Sequence, residues 1–363
     1  MFAALPQKEA QISGLEKAMF ATLADDLTII IPAYNEAGSI ADTVRSIQAQ
    51  TWRVKEIIVV DDFSNDGTGD IARALGVTVM RPPQNTGSKA GAQNFALGHV
   101  ATRFTMAIDA DTMLAPNAIE LLLPALQENN IVAVCGFVLP QFVSSIWERG
   151  RYIEYLFAFT LYKPVQDYYG KPMISSGCFS AYKTKELKEL GGWSTRTMAE
   201  DMDLTWSFYT KGYGVRFVPE ALCYPIEPHN FSFMSKQLKR WSHGFAQNVR
   251  LHWGDVIHIP YLRYSVTVSV WDSVIASVAY LTLIPLLALY FHNAYFLLGY
   301  VIDLPAVLVP TLIAAKKRNE VGRALASLPA FFVLRVVNSV FVVEAFVSEF
   351  ILNKHLTVYE KGH

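Results

Sequence analysis

Blocks of apolar residues open the chain's ordered pattern, each followed by a polar turn and then a helical repeat. Thr28 to Ile31 is a β-branched run that predicts a buried strand, ended by Pro32. Ile40, Val44 and Ile47 then recur at helical spacing. Glu56 to Asp62 predicts a second strand, Ile71, Ala74 and Leu75 a second helix, and Val77 to Met80 a third strand. Strand alternating with helix over roughly the first 130 residues predicts an α/β fold with a mostly parallel, doubly wound sheet and helices on both faces. Ligands in such sheets bind at the carboxyl ends of strands. The polar clusters lie there: YNE after the first strand, DD after the second, and DAD after FTMAI.

The pattern changes twice further on. Glu148 to Lys163 is apolar on one side with charged ends, as in an interfacial helix or a helix packed on the sheet. Beyond it come QLKRW and another aromatic-rich helix, and then three long apolar runs. Tyr264 to Phe291 carries only Asp272, and Asn293 to Ala315 only Asp303. Ala324 to Phe350 carries Arg335, Glu344 and Glu349. About 20 residues cross ~30 Å of hydrocarbon, so each run predicts a transmembrane helix, with the charges of the third facing a bundle interior. A buried soluble bundle is the competing reading. Lys316, Lys317, Arg318 and Arg323 lie between the second and third runs, whereas FHNA between the first and second has no Lys or Arg. The positive-inside rule then places the basic loop and everything before the first run in the cytoplasm. The tail falls outside, although its Lys354 and Lys361 run against the rule.

The chain divides accordingly into an amphipathic segment (1–26), a catalytic domain (27–227), QLKRW and interfacial helices (228–260), transmembrane helices (261–352) and a tail (353–363). Composition agrees. The chain has 363 residues, 52% hydrophobic and 17% charged, against about 25% charged in soluble proteins. A net charge of −1 argues against a nucleic-acid partner. Cys135, Cys178 and Cys223 are an odd number with no CxxC pair and predict reduced thiols. Lys8, Glu9, Glu16, Lys17, Asp25 and Asp26 interrupt any apolar run near the start, so no signal peptide is expected there.

The strand-end motifs carry candidate chemistry. Asp109 and Asp111, two apart, would point the same way in an extended strand and suit a hard divalent cation; a solvated turn explains them equally. Asp61 and Asp62 could accept from a base or a ribose, or form a turn with Asn65-Asp66-Gly67. Tyr34 and Glu36 offer a ring and a carboxylate, with Asn35 or Ser39 as plain caps in the alternative. Lys89 could meet a phosphate or sit on the surface. Glu200, Asp201 and Asp203 place three acids within four residues; repulsion should raise one pKa, while a helix first turn also favours acids.

Together, IPAYNE, VVDDFSNDGT, KAGAQN, DAD, SGCFSAYK, AEDMD and QLKRW resemble, in order and spacing, the family 2 inverting glycosyltransferases with a GT-A fold. The likeness covers about residues 27–250 and is nearest the membrane-embedded processive synthases of cellulose, hyaluronan, chitin and poly-N-acetylglucosamine. It implies that Pro32, Tyr34, Glu36, Asp61, Asp62, Lys89 and Asp109 hold the donor nucleotide. Asp111, with Asp109, would bind Mg²⁺ or Mn²⁺. Asp201, beside Glu200, would be the catalytic base. Arg240 would hold the diphosphate, Gln237 would bond the diphosphate or sugar hydroxyls, and Trp241, Ser176, Gly177 and Cys178 would receive the acceptor sugar. The implied activity is transfer from a UDP-sugar, UDP-N-acetylglucosamine or UDP-glucose, to a β-linked polysaccharide at a bacterial-type plasma membrane. Transfer to a lipid or protein acceptor and a non-enzymatic scaffold or transport role are the alternatives. With only three predicted spans, a homo-oligomer or partner subunit is expected to complete any channel.

Overall fold

A computed structural model describes residues 22–357. Most of the predicted amphipathic segment, and the tail beyond 357 with Lys361, lie outside the described residues. Eight strands form one sheet in the order β3-β2-β1-β4-β7-β6-β8-β5. They are β1 (Leu27–Ala33), β2 (Glu56–Asp61), β3 (Thr78–Met80), β4 (Phe104–Ile108), β5 (Thr112–Leu114), β6 (Ile131–Val138), β7 (Phe179–Lys183) and β8 (Gly214–Pro225). β1 to β4 pair in parallel, and β6 pairs parallel to β8. β7 runs antiparallel between β4 and β6, and β5 antiparallel on β8. The sheet is therefore mostly parallel with two reversed strands. The first half obeys the strand–helix alternation. β7, which follows the long helix after β6, enters the sheet from the opposite end.

β1 explains the sheet's two-sided core. Ile29 and Ile31 join one apolar cluster with Val44, Ile47, Phe179 and Phe217. Ile30 joins Ile58, Val60, Trp193 and Trp206 on the other side. Alternate residues point to opposite faces, so a continuous apolar run is what a doubly covered strand requires. The strand does not stop at Pro32 as predicted but continues to Ala33, with Pro32 opposite Val60. Pro32 withholds one donor near the strand's carboxyl end, and pairing ceases one residue later.

The helices around the sheet and its cleft include α1 (Ile40–Gln48), α2 (Thr68–Ala74), α3 (Lys89–Leu97), α4 (Ala118–Leu122), α5 (Ile146–Phe157), α6 (Thr184–Glu189), α7 (Glu200–Thr210) and α8 (Phe231–Leu251). A capping box between Ser145 and Glu148 starts α5. The helix runs on through a π-helical turn to Tyr168, matching the predicted amphipathic element.

Among the described residues, three helices long and apolar enough to cross a membrane follow: Pro260–Tyr290, Ala294–Lys317 and Val321–Ile351. One ion from each meets the others, Arg335 pairing with Asp303 and, at 3.4 Å, with Asp272. The charges thus face one another, as intramembrane cost demands. The first two helices are largely exposed. The third packs on the sheet domain, with Leu334 clustered with Met234 and Leu238. Tyr152 on α5 donates to Glu320 at its start (2.8 Å), and His243 on α8 bonds Glu349 near its end (2.8 Å). The tail was expected on the far side of a membrane. Gln247 of α8 instead donates to the carbonyl of Leu356 (2.9 Å), which keeps the described tail against this domain.

A buried ion cluster ties α7 to the end of α8. Arg196 grips Asp203 with two bonds (2.8 and 2.7 Å), and His252 adds a third (2.6 Å). Burial alone would raise the Asp203 carboxyl, but Arg196 and His252 outweigh it and hold the pKa at about 2, below the ordinary 3.8. A depressed carboxylate contributes stability above its unfolded pKa and loses it as pH falls through the folded one. About 2 kcal/mol of unfolding free energy should disappear between roughly pH 4 and pH 2. Urea unfolding of the detergent-solubilised protein across that range should show the loss, and Asp203→Asn should flatten it.

Candidate active site

The carboxyl ends of β1, β2 and β4 open on a cleft of about 470 Å³. Its rim begins as two interlocked loops. Asn35 takes a left-handed φ of 55°, tolerated best by Gly and Asn, and receives the N–H of Asn65 on its side chain (3.0 Å). The N–H groups of Asn35, Glu36 and Ala37 donate to Ser64, Thr68 and Asp66 of the neighbouring loop. Tyr34 and Glu36 are thereby fixed on the cleft, and Pro32 lines it behind them. Ser39 precedes α1 but makes no cap bond; it holds the Glu36 carboxylate instead (2.8 Å).

The paired aspartates after β2 separate. Asp62 lines the cleft and accepts the N–H and hydroxyl of Thr86 (both 2.8 Å), which seats the loop before α3. Asp61 turns under the sheet edge to Ser64 and Arg81 and is not among the lining residues. Of the two, Asp62 alone faces the cleft, because successive side chains at a strand end point opposite ways.

Asp109 and Asp111 both line the cleft, yet β4 ends at Ile108. They sit in a turn closed by Thr112 N–H on the Asp109 carbonyl (3.1 Å), so the extended-strand argument for their common direction fails while its result stands. Burial first, then Asp109, Glu36 and Glu227, push the Asp111 carboxyl up to about 8. Excess negative charge at one point suits a cation. Among the described residues no group of three or more His, Cys, Asp or Glu forms a ready metal shell. A cation here would need phosphate oxygens and water as well, the usual habit of Mg²⁺.

Lys89, first residue of α3, reaches into the same region. Its ammonium pairs with Asp109 and with Glu200 (3.7 Å) and donates to the Gly177 carbonyl (3.1 Å). Burial alone would lower its pKa, but the surrounding carboxylates raise it. The N–H of Gly177 in turn donates to Asp201 (2.8 Å), and Met202 N–H holds the other Asp201 oxygen (2.9 Å). A β-carbon at 177 would lie 2.9 Å from Asp201 and 3.2 Å from the Lys89 ammonium. Small size at 177 therefore serves the Asp201 carboxylate. Burial, then Asp201, raise the Glu200 carboxyl, with Lys89 and Arg240 opposing. Asp201, Glu200, Ser176 and Gly177 are behind the lining rather than in it; Cys178 is on it. Ser176 is engaged by the Lys163 ammonium (2.8 Å). All three acids of AEDMD occupy the first turn of α7, but Asp203 belongs to the Arg196 cluster.

α8 supplies the opposite wall with Gln237, Arg240 and Trp241. Arg151 of α5 had not been singled out. It is buried, donates to Gln237 (2.7 Å) and Glu154 (2.5 Å), lies 3.6 Å from Glu227, and covers one face of Trp241 at 4.3 Å. Glu227, raised by burial, accepts from Tyr155 (2.7 Å), and both line the cleft. Two signals could have found them. Arg151 and Tyr155 are i and i+4 on one helix face. Glu227 follows the end of β8, as the other acids follow β2 and β4.

Residues 28–191 match the model of Glycosyl transferase family 2. Over 224 residues the chain is 27% identical to the poly-beta-1,6-N-acetyl-D-glucosamine synthase of Staphylococcus aureus strain MSSA476, covering 61% of this chain and 54% of that protein. It is 28% identical over 230 residues to the protein of the same name from Staphylococcus epidermidis, with the same coverage. The chain spans about half the length of these curated relatives. Its fold is similar to that of the mannosyltransferase PcManGT from Pyrobaculum calidifontis, solved with GDP-Man and Mn2+, at a TM-score of 0.57 and 18% identity over 91% of this chain and 88% of that one. The sheet is GT-A-like, and the match to the Glycosyl transferase family 2 model spans residues 28–191, which carry the loops after β1, β2 and β4.

Proposed function

We propose that the chain is a membrane-bound inverting glycosyltransferase that moves a sugar from a UDP-sugar to the non-reducing end of a growing β-linked polysaccharide. The observation that carries this reading is the convergence of Asp109, Asp111, Lys89 and Arg240 on one cleft, with Asp201 braced directly behind it. The name of the staphylococcal relatives favours UDP-N-acetylglucosamine over UDP-glucose. The three apolar helices support a membrane seat, and the basic loop between the second and third supports a cytoplasmic catalytic domain.

The chemistry follows from the residues. Tyr34, Glu36 and Asp62 hold the nucleoside side of the donor. Arg240 offers forked, charge-assisted bonds to the diphosphate, and Gln237 lies one turn before it. Asp111, with Asp109, would hold Mg²⁺ or Mn²⁺, which when bound offsets charge on the diphosphate. Asp201 takes the proton from an acceptor hydroxyl. That oxygen bonds to the anomeric carbon as the bond to the diphosphate breaks, so an α-linked donor yields a β-linkage. Both Asp201 oxygens are oriented by backbone N–H groups, and each keeps a lone pair for the proton. Trp241 flanks the acceptor with the face that Arg151 leaves open.

A second reading, a single transfer to a lipid or protein acceptor, is favoured by the exposure of the first two apolar helices, only 11% and 17% of whose spans are buried rather than packed around a passage. Product length on a gel separates the two. Purified protein in detergent with Mn²⁺ should release UDP from one member of a radiolabelled UDP-sugar panel, and linkage-specific glycosidases should digest the product. Asp201→Asn should lower kcat at least about 100-fold. UDP release unchanged in Asp201→Asn would overturn this mechanism, and no release from any donor would favour a scaffold. Gly177→Val should cost a similar factor with UDP binding retained, because the added carbons displace the Asp201 carboxylate.

A further inference from the structure

α8 carries more than the cleft wall. Arg240, Gly244, Gln247 and Asn248 recur at helical spacing, so one stripe of the helix continues from the cleft to the segment that precedes Asp201. Each contact along that stripe is close. A β-carbon at Gly244 would lie 2.6 Å from the side chain of Ala199. The Asn248 amide donates to the Ala199 carbonyl (3.2 Å) and the Thr197 hydroxyl (3.3 Å). The Gln247 carbonyl accepts the N–H of Met198 (2.9 Å), three residues before Asp201.

Gln247 is itself held from behind. Its amide donates to Glu349 (2.8 Å), at the end of the third apolar helix. Glu349 is buried and also accepts from His243 (2.8 Å), His355 (2.5 Å) and the N–H of Leu356 (3.3 Å). A carboxylate removed from water and given four partners is a fixed anchor. We infer that Glu349 and Gln247 are positioning residues: they relay the seating of the third apolar helix to the Met198–Asp201 segment and so set the carboxylate of Asp201 relative to Arg240. Under this arrangement the apolar region is part of the alignment of the site as well as its anchor. The catalytic consequence rests on the function proposed above, and the mechanical link does not.

The test exchanges the two partners. Gln247→Glu sets a carboxylate against Glu349 and against the Leu356 carbonyl, while adding Glu349→Gln removes the first of these repulsions and keeps an oxygen for Met198. Gln247→Glu should lower kcat about tenfold, with the donor KM within about twofold, and the double variant should recover part of the loss. Deuterium uptake at the backbone of residues 197–201 should rise in the single variant and return in the double, with UDP binding retained in both. A double variant no better than the single, or unchanged exchange at 197–201, would overturn the relay. Changed and restored exchange in a protein with no transferase activity would uphold the link and sink the functional reading instead.

Discussion

Everything at the cleft depends on one compensated charge. Lys89 is placed at the start of α3 by the Ser88 cap and is almost fully enclosed among Asp109, Glu200 and the Gly177 carbonyl. A lone ammonium at that depth would shed its proton, and lone carboxylates would hold theirs. Packed together, the carboxylates hold the Lys89 proton against the cost of burial and fix the distances within the cluster. The lysine thereby draws three distant parts of the chain, β4's end, the SGC turn and the start of α7, onto one point. The resemblance implied a lysine facing nucleotide; the geometry makes it first the keystone of the acid cluster.

A second buried cation organises the opposite wall. Arg151 meets Glu154, Glu227, Gln237 and the Trp241 ring, so the α8 signature is held by α5 before any ligand arrives. Such preorganisation lowers the cost of ordering the site on binding. The two walls are then joined behind the cleft by α8, which reaches both the cleft lining at Arg240 and the Ala199 segment at Gly244.

Much of this was legible in sequence where local rules govern. The apolar runs of β1, β2 and β4, the helical spacing of α1, and the three late apolar helices follow from periodicity and length. The strand-end rule found Asp62, Asp109 and Asp111. It failed where the outcome depends on which way one side chain turns at a loop: Asp61 turns to Arg81 rather than to the cleft. It missed Glu227 because β8, with its irregular pairing to β6, was not recognised as a strand. The pairing of β7 with β4 and the contacts of Glu349 with His243 and Gln247 join residues more than 70 apart, which no local pattern encodes.

The central claim is that one diphosphate lies between the Asp109–Asp111 turn and Arg240, with its sugar toward Asp201. An experimental structure with the UDP-sugar and Mn²⁺ bound to the Asp201→Asn protein tests it most directly. The account predicts phosphate oxygens beside Asp111 and the Arg240 guanidinium, and the anomeric carbon facing residue 201. A nucleotide bound outside this cleft, or a sugar directed away from residue 201, would contradict it.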